Sequence, residues 1–169
     1  MSQPTIPTGH DPLRSTGGPA EGDYVVLSGE RFYRIRRVDA MPPFLMSLVG
    51  ASDLWMFVAS NGGLTAGRVD ADAALFPYTT SDRLMESAEH TGPKTLLWVT
   101  RGGRRSLWEP FSERGCGTYR VERNLYKSVL GDEVLFEEVN HDLGLAFRYG
   151  WRGGAAFGFV RTSELSETT

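Results

Sequence analysis

The chain has 169 residues, of which 40% are hydrophobic, and its 18 Lys and Arg against 21 Asp and Glu give a formal net charge of −3 at pH 7. This length and composition fit one domain with a sizeable core, and the acidic balance argues against a nucleic-acid binder or an anionic-membrane binder. The single Cys116 excludes an internal disulfide and a cysteine-based zinc site. No apolar run approaches the ~20 residues that span a bilayer.

Residues 1–22 are rich in proline and glycine and offer little to bury. We expect them to form a flexible leader, followed by one domain over 23–163 and a polar tail over 164–169. The leader lacks the basic and apolar regions of a signal peptide, so the cytoplasm is the expected compartment.

The first half of the chain contains short segments of strand composition separated by turn signals. The predicted strands are Tyr24–Leu27, Arg31–Val38, Phe44–Val49, Leu54–Ala59 and Leu64–Arg68. The two apolar runs, 44–49 and 54–59, are expected to be antiparallel neighbours at the centre of a sheet.

Charged residues and a helix-capping segment give further predictions for this half of the chain. The first hairpin alternates poorly and predicts an edge guarded by charge, so a solvated edge is favoured over an anion patch for its arginines, which are Arg31, Arg34, Arg36 and Arg37. The segment Thr80-Ser81-Asp82 predicts the cap of a short helix over Arg83–Glu89.

The second half repeats the pattern of short strands and turns. The predicted strands are Thr95–Thr100, Arg105–Trp108, Thr118–Lys127, Glu133–Val139, Leu143–Trp151 and Ala155–Thr162. The alternation over Leu143–Trp151 is the cleanest in the chain. About ten short strands with little helix predict an all-β fold, an antiparallel β-sandwich.

Aromatic residues at period two form a stripe along the last strands, comprising Phe147, Tyr149, Trp151, Phe157 and Phe159. Such a stripe is more often sandwich core than a stacking platform for sugar rings, and core is therefore favoured. The segment Trp108-Glu109-Pro110-Phe111 has the same ambiguity. A turn anchored by a buried Trp108 is favoured over a sugar contact.

The densest polar cluster is Glu137–Asp142. Adjacent strand residues point to opposite faces, so Glu137 and Glu138 cannot act as one acid/base pair. His141 has no second histidine at ligand spacing, and a loop with side chains bonding to backbone is favoured over a metal site. No catalytic residue, metal or cofactor is assigned, and Cys116 is interpreted as a buried or incidental thiol.

The order of the pieces carries a resemblance to a known family. A Pro-rich turn at Pro42-Pro43, the two apolar strands, the Gly62-Gly63 turn, Arg68 and the later Trp108-Glu109-Pro110 element follow one another. In layout, residues 30–162 resemble the N-terminal domain of glycoside phosphorylases of the cellobiose phosphorylase type.

The resemblance implies a β-supersandwich that precedes a helical linker and an (α/α)₆ barrel, which holds the catalytic acid and the phosphate site. The expected function is a non-catalytic module of a carbohydrate-active enzyme. Its expected partners are an oligo- or disaccharide and either a helical-barrel catalytic partner or a second copy in a homodimer. By position, the residues implied for carbohydrate binding are Asn61, Gly62, Gly63, Arg68, Trp108 and Glu109.

Two other hypotheses remain open from the sequence. The chain could be a stand-alone carbohydrate-binding or protein-interaction domain that uses exposed aromatics around Trp55, Trp108 or Trp151. It could also be a small enzyme that acts through Glu137–Asp142, which would require perturbed acids in a cleft.

Overall fold

A computed structural model of the chain describes residues 14–15, 17–50, 52–76, 78–114, 118–156 and 158–168. Residues 1–13 of the predicted leader, and the interpretations of Cys116 and Phe157, lie outside these ranges. The strands are β1 (Arg14–Ser15), β2 (Glu21–Leu27), β3 (Glu30–Arg36), β4 (Leu45–Leu48), β5 (Leu54–Ala59), β6 (Leu64–Arg68), β7 (Ala74–Phe76), β8 (Leu97–Arg101), β9 (Arg104–Trp108), β10 (Arg120–Ser128), β11 (Glu133–Asn140), β12 (Leu145–Gly154) and β13 (Gly158–Glu167). The helices are α1 (Ser81–Glu86) and two 3₁₀ turns, Val38–Ala40 and Ala71–Ala73.

The largest sheet has seven strands and the order β13-β12-β11-β10-β3-β2, with β1 paired to β10 beside this path. Strands β10 to β13 form an antiparallel meander, in which each strand pairs with the next. Strand β3 joins the other side of β10, although Arg37 and Asn124 at this junction are 87 residues apart in sequence. The first hairpin lies at an edge of this sheet, as expected, with β2 outermost and β3 between β2 and β10.

A second sheet has four antiparallel strands in the order β4-β5-β6-β7. The predicted bounds of Leu54–Ala59 and Leu64–Arg68 are those of β5 and β6. Strand β4 pairs antiparallel with β5 as predicted, but it lies at the edge of the sheet and not at its centre. Strands β8 and β9 form a separate hairpin. The helix α1 starts two residues before the predicted Arg83 and buries Leu84 completely.

The core lies between the two larger sheets. The face of the seven-stranded sheet that packs on the four-stranded sheet, here called the inner face, carries aromatic and aliphatic side chains from alternating positions. Its buried members pack with Met56, Val58, Leu64 and Ala66 of the smaller sheet and include Leu125, Val134, Phe136, Phe147 and Tyr149. The predicted all-β sandwich is thereby confirmed, and the aromatic stripe of β12 is sandwich core.

The strands extend beyond the predicted domain limits at both ends. Strand β2 starts at Glu21 and β13 runs to Glu167. The N-terminal extension is held by ion pairs, because Glu21 meets Arg36 and Arg37, while Asp23 meets Arg34. The arginines of the first hairpin are thus largely neutralised by their neighbours on β2. No helix among the described residues is long and apolar enough to cross a membrane.

Candidate functional site

The Asn61-Gly62-Gly63 turn is held tightly between core and helix. Asn61 donates from Nδ2 to the carbonyl oxygen of Met85 at 2.6 Å, and its Oδ1 accepts from the Gly63 amide at 3.4 Å. Gly62 has φ 95°, a conformation that favours glycine, and a Cβ on Gly63 would lie 2.3 Å from the Leu84 carbonyl oxygen. Both glycines are buried. Hydrogen bonding at Asn61, the backbone conformation of Gly62 and the close packing at Gly63 thus explain all three residues structurally.

The Asn61→Ala variant tests this structural role. Loss of both hydrogen bonds is expected to lower the free energy of unfolding by about 1 kcal/mol, because the partner groups are only partly buried. Chemical denaturation measures the change. The same variant should leave saccharide titrations unchanged, and a selective loss of saccharide binding would instead place Asn61 in a site.

Trp108 belongs to the core and not to a surface. It is 1% exposed, and its Nε1 donates to Glu138 Oε1 at 2.9 Å. Glu138 Oε2 accepts from the Phe111 amide and from Arg123 Nε, both at 2.8 Å. One buried carboxylate therefore fixes the Trp108–Phe111 turn, as the favoured interpretation of a turn anchored by buried Trp108 predicted. Glu109 is partly buried, and its carbonyl oxygen accepts from the Ser112 amide.

Glu137 lies on the opposite face of β11, here called the outer face of the seven-stranded sheet. Asn124 Nδ2 and the Tyr126 hydroxyl each donate to it at 3.2 Å, and Arg148 donates from Nε at 3.0 Å. Burial, and then the charge of Glu137, raise the pKa of Tyr126 above its ordinary value. The two glutamates thus point to opposite faces as predicted, but both are buried and each has its own arginine.

A cleft of about 340 Å³ adjoins this network on the outer face. Its two arginines already have carboxylate partners, since Arg148 pairs with Glu137 and Arg152 pairs with Glu30. The donors that would recognise a ligand there are therefore engaged within the protein. This arrangement favours a structural role for the outer-face cleft.

The segment around His141 is a loop with side chains bonded to backbone. The Leu143 amide donates to Asn140 Oδ1 at 3.0 Å, and the Arg120 amide donates to Asp142 Oδ2 at 2.7 Å. His141 is exposed. Among the described residues, no group of three or more His, Cys, Asp or Glu side chains is placed to hold a metal ion.

A second cleft, of about 440 Å³, lies where the β12–β13 hairpin meets the open end of the four-stranded sheet. We call it the aromatic cleft. Its size falls within the range of small-molecule sites. It is lined by Ser52, Leu54, Arg68, Leu75, Phe76, Trp151, Ala155, Ala156, Gly158 and Phe159.

Of the six residues that the resemblance implied, Arg68 alone lines the aromatic cleft. Its side chain is 60% exposed and meets Asp53 at 3.3 Å, a contact that solvent weakens. The other five occupy the Asn61-Gly62-Gly63 turn and the Trp108-Glu109 turn described above. The structure therefore does not gather the six residues into one site.

The aromatic cleft combines rings from both sheets. Phe76 of β7 and Trp151 of β12 meet edge to face, with ring centroids 6.5 Å apart and an interplanar angle of 74°. The Trp151 Nε1 is buried and has no hydrogen-bond acceptor among the described residues. Sequence reasoning favoured the core for Trp151 and assigned no role to Phe76, so it missed their contact.

Neither a scan against protein-family models nor a search of curated proteins found a match to the chain.

Proposed function

We propose that the chain is a non-catalytic β-sandwich module of a carbohydrate-active enzyme, and that it binds saccharide in the aromatic cleft. The observation that carries this proposal is the pairing of Trp151 and Phe76 with the exposed Arg68 around one opening of about 440 Å³. The resemblance in layout to phosphorylase N-terminal domains gives the expected context. In that context the partner is a helical-barrel catalytic domain, which performs phosphorolysis or hydrolysis.

The chemistry of the aromatic cleft suits a sugar ring. The C–H-rich face of a pyranose packs on aromatic side chains through the same apolar contacts that bury any ligand, and a few polar groups at the rim fix its orientation. Here Phe76, Trp151 and Phe159 provide the apolar surface, while Arg68 and Ser52 provide hydrogen-bond donors. Small side chains at Ala155, Ala156 and Gly158 leave room beside the rings.

Titration of the protein with a panel of neutral and acidic oligosaccharides tests the proposal, with calorimetry and tryptophan fluorescence as readouts. We expect at least one saccharide class to bind and to change the fluorescence of Trp151. Replacing Trp151 with alanine should weaken that binding by about ten-fold, the effect of losing one well-placed aromatic contact.

Trp98→Ala is the matched control, because Trp98 is 53% exposed on β8 and does not line the aromatic cleft. Trp151→Phe keeps an aromatic ring in the sandwich, so it separates the loss of a binding contact from a simple loss of the fold. Absence of binding to every saccharide in the panel by the folded wild-type protein would overturn the proposal, as would equal losses in the Trp98 and Trp151 variants.

A further inference from the structure

The lining of the aromatic cleft is mainly apolar and contains no carboxylate, although Asp53 pairs with Arg68 at its rim. Among the described residues that line it, Arg68 is the charged one, and Ser52 and Trp151 are the other side chains with a hydrogen-bond donor. Sites for neutral sugars need acceptors as well as donors, because each hydroxyl both donates and accepts. Among the polar side chains of this lining only the Ser52 hydroxyl can also accept a hydrogen bond, which favours a ligand that carries negative charge.

A second arginine lies directly beside this site. Arg161 of β13 is the register partner of Trp151 of β12, so both side chains lie on the inner face about 5 Å apart at Cβ. Phe159, two residues before Arg161 on the same face, lines the aromatic cleft. The Arg161 guanidinium lies over the Tyr149 ring, with its central carbon 5.1 Å from the ring centroid.

Arg161 differs from the other arginines whose side chains are partly buried among the described residues. Each of those has a carboxylate partner, the pairs being Arg34–Asp23, Arg36–Glu21, Arg37–Glu21, Arg123–Glu138 and Arg148–Glu137. Arg161 has no carboxylate partner among the described residues, and its buried Nε and Nη2 atoms have no acceptor there. An unpaired charge in a protein interior is unfavourable, so an anionic ligand close to Arg161 would offset part of that cost.

The two Arg161 atoms without an acceptor, Nε and Nη2, are the same two atoms through which Arg34 binds a carboxylate in this protein. Arg34 donates from Nε to Asp23 Oδ1 at 2.9 Å and from Nη2 to Asp23 Oδ2 at 2.7 Å. Both Arg161 atoms are buried and Arg161 does not line the aromatic cleft, so it acts on a ligand there through its charge and not through such a two-point contact. The Trp151 Nε1 is likewise buried and without an acceptor among the described residues.

We propose that the aromatic cleft selects acidic saccharides, those whose rings carry a uronic acid carboxylate. The inference rests on the proposed function and names its ligand class. The ring packs on Trp151 and Phe76, the carboxylate replaces Asp53 as the partner of the exposed Arg68 at the rim, and Arg161 supplies uncompensated positive charge from the adjacent strand pair. In the low-dielectric interior that charge acts over several ångströms without direct contact.

The test uses oligosaccharides of galacturonate, glucuronate and mannuronate, each beside its methyl-esterified form, which keeps the rings and removes the charge. We expect the best acidic ligand to bind about ten-fold tighter than its ester, as one charge beside a weakly solvated arginine predicts. Arg161→Gln should abolish most of this preference, and Arg161→Lys should retain it. Arg83→Gln, the same charge change at an exposed site on α1 outside the lining, should have no effect.

The outcomes separate this inference from the proposed function. Equal affinity for acid and ester, or an unchanged preference in Arg161→Gln, would overturn the selection of acidic sugars while saccharide binding stands. Displacement by an equal concentration of inorganic phosphate would show a general anion site and would also overturn it. Binding of no saccharide at all removes both proposals.

Discussion

Replacing Glu138 with alanine is expected to lower the free energy of unfolding by about 4 kcal/mol, the usual consequence of breaking a buried ion pair. Glu138 is 3% exposed and accepts from Trp108, Phe111 and Arg123 at 2.8 to 2.9 Å. Its removal leaves the Arg123 charge and the Trp108 indole N–H in the interior without their acceptor. Urea denaturation followed by tryptophan fluorescence measures the loss.

Glu164→Ala is the matched control for this experiment. The Glu164 side chain is 68% exposed and lies 4.0 Å from Arg148, so its removal should change stability by less than about 0.5 kcal/mol. Glu138→Gln, which keeps the shape of the side chain but not its charge, should fall between the two. Similar stabilities for the Glu138→Ala and Glu164→Ala proteins would refute the anchoring role of this carboxylate.

Replacing Gly63 with alanine is expected to destabilise the protein by about 3 kcal/mol, at the upper end of what overpacking a rigid site costs. The added Cβ would lie 2.3 Å from the Leu84 carbonyl oxygen, which is backbone and cannot rotate away. The strand β6 or the helix α1 must therefore shift. Thermal and chemical denaturation measure the effect.

Gly50→Ala provides the comparison, because a Cβ at Gly50 has no heavy atom within 4 Å and no unusual φ. Its stability should stay within about 0.5 kcal/mol of the wild-type value. If Gly63→Ala is as stable as Gly50→Ala, the contact between this turn and α1 is not rigid. A structural demand for glycine at residue 63 would then be refuted.

The strands themselves could be predicted because their signals are local. Apolar runs and turn residues predict the first and last residues of β5 and β6 correctly, and period-two alternation identifies the inner face of β12. The pairing of β3 with β10 could not be predicted, since nothing in either segment records a partner so far away in sequence.

The burial of charged residues also could not be predicted from the local sequence pattern. Glu137 and Glu138 are correctly placed on opposite faces by alternation, but each face of β11 is covered, so both carboxylates need an arginine. Only the assembled sheet reveals which arginine serves which glutamate. The aromatic cleft is similar, because Phe76 and Trp151 come from different sheets and meet only after the sheets pack.

One signal for the aromatic cleft was nevertheless present in the sequence. Arg161 shares parity with Phe159, so the alternation of the last strand already put a cation in step with an apolar residue. Charge on the packed side of a sandwich strand is a local inconsistency, and such inconsistencies concentrate at functional positions.

The joining of β3 to β10 shapes the order in which the molecule can assemble. Residues from β4 to β9, with the whole smaller sheet, form the loop that this pairing closes. Strands β10 to β13 need only short hairpin connections, whereas docking of β2 and β3 must overcome the entropy of closing the long loop. The C-terminal meander therefore has the lower loop-closure cost, and we expect the docking of the N-terminal hairpin onto β10 to be the slower step of folding.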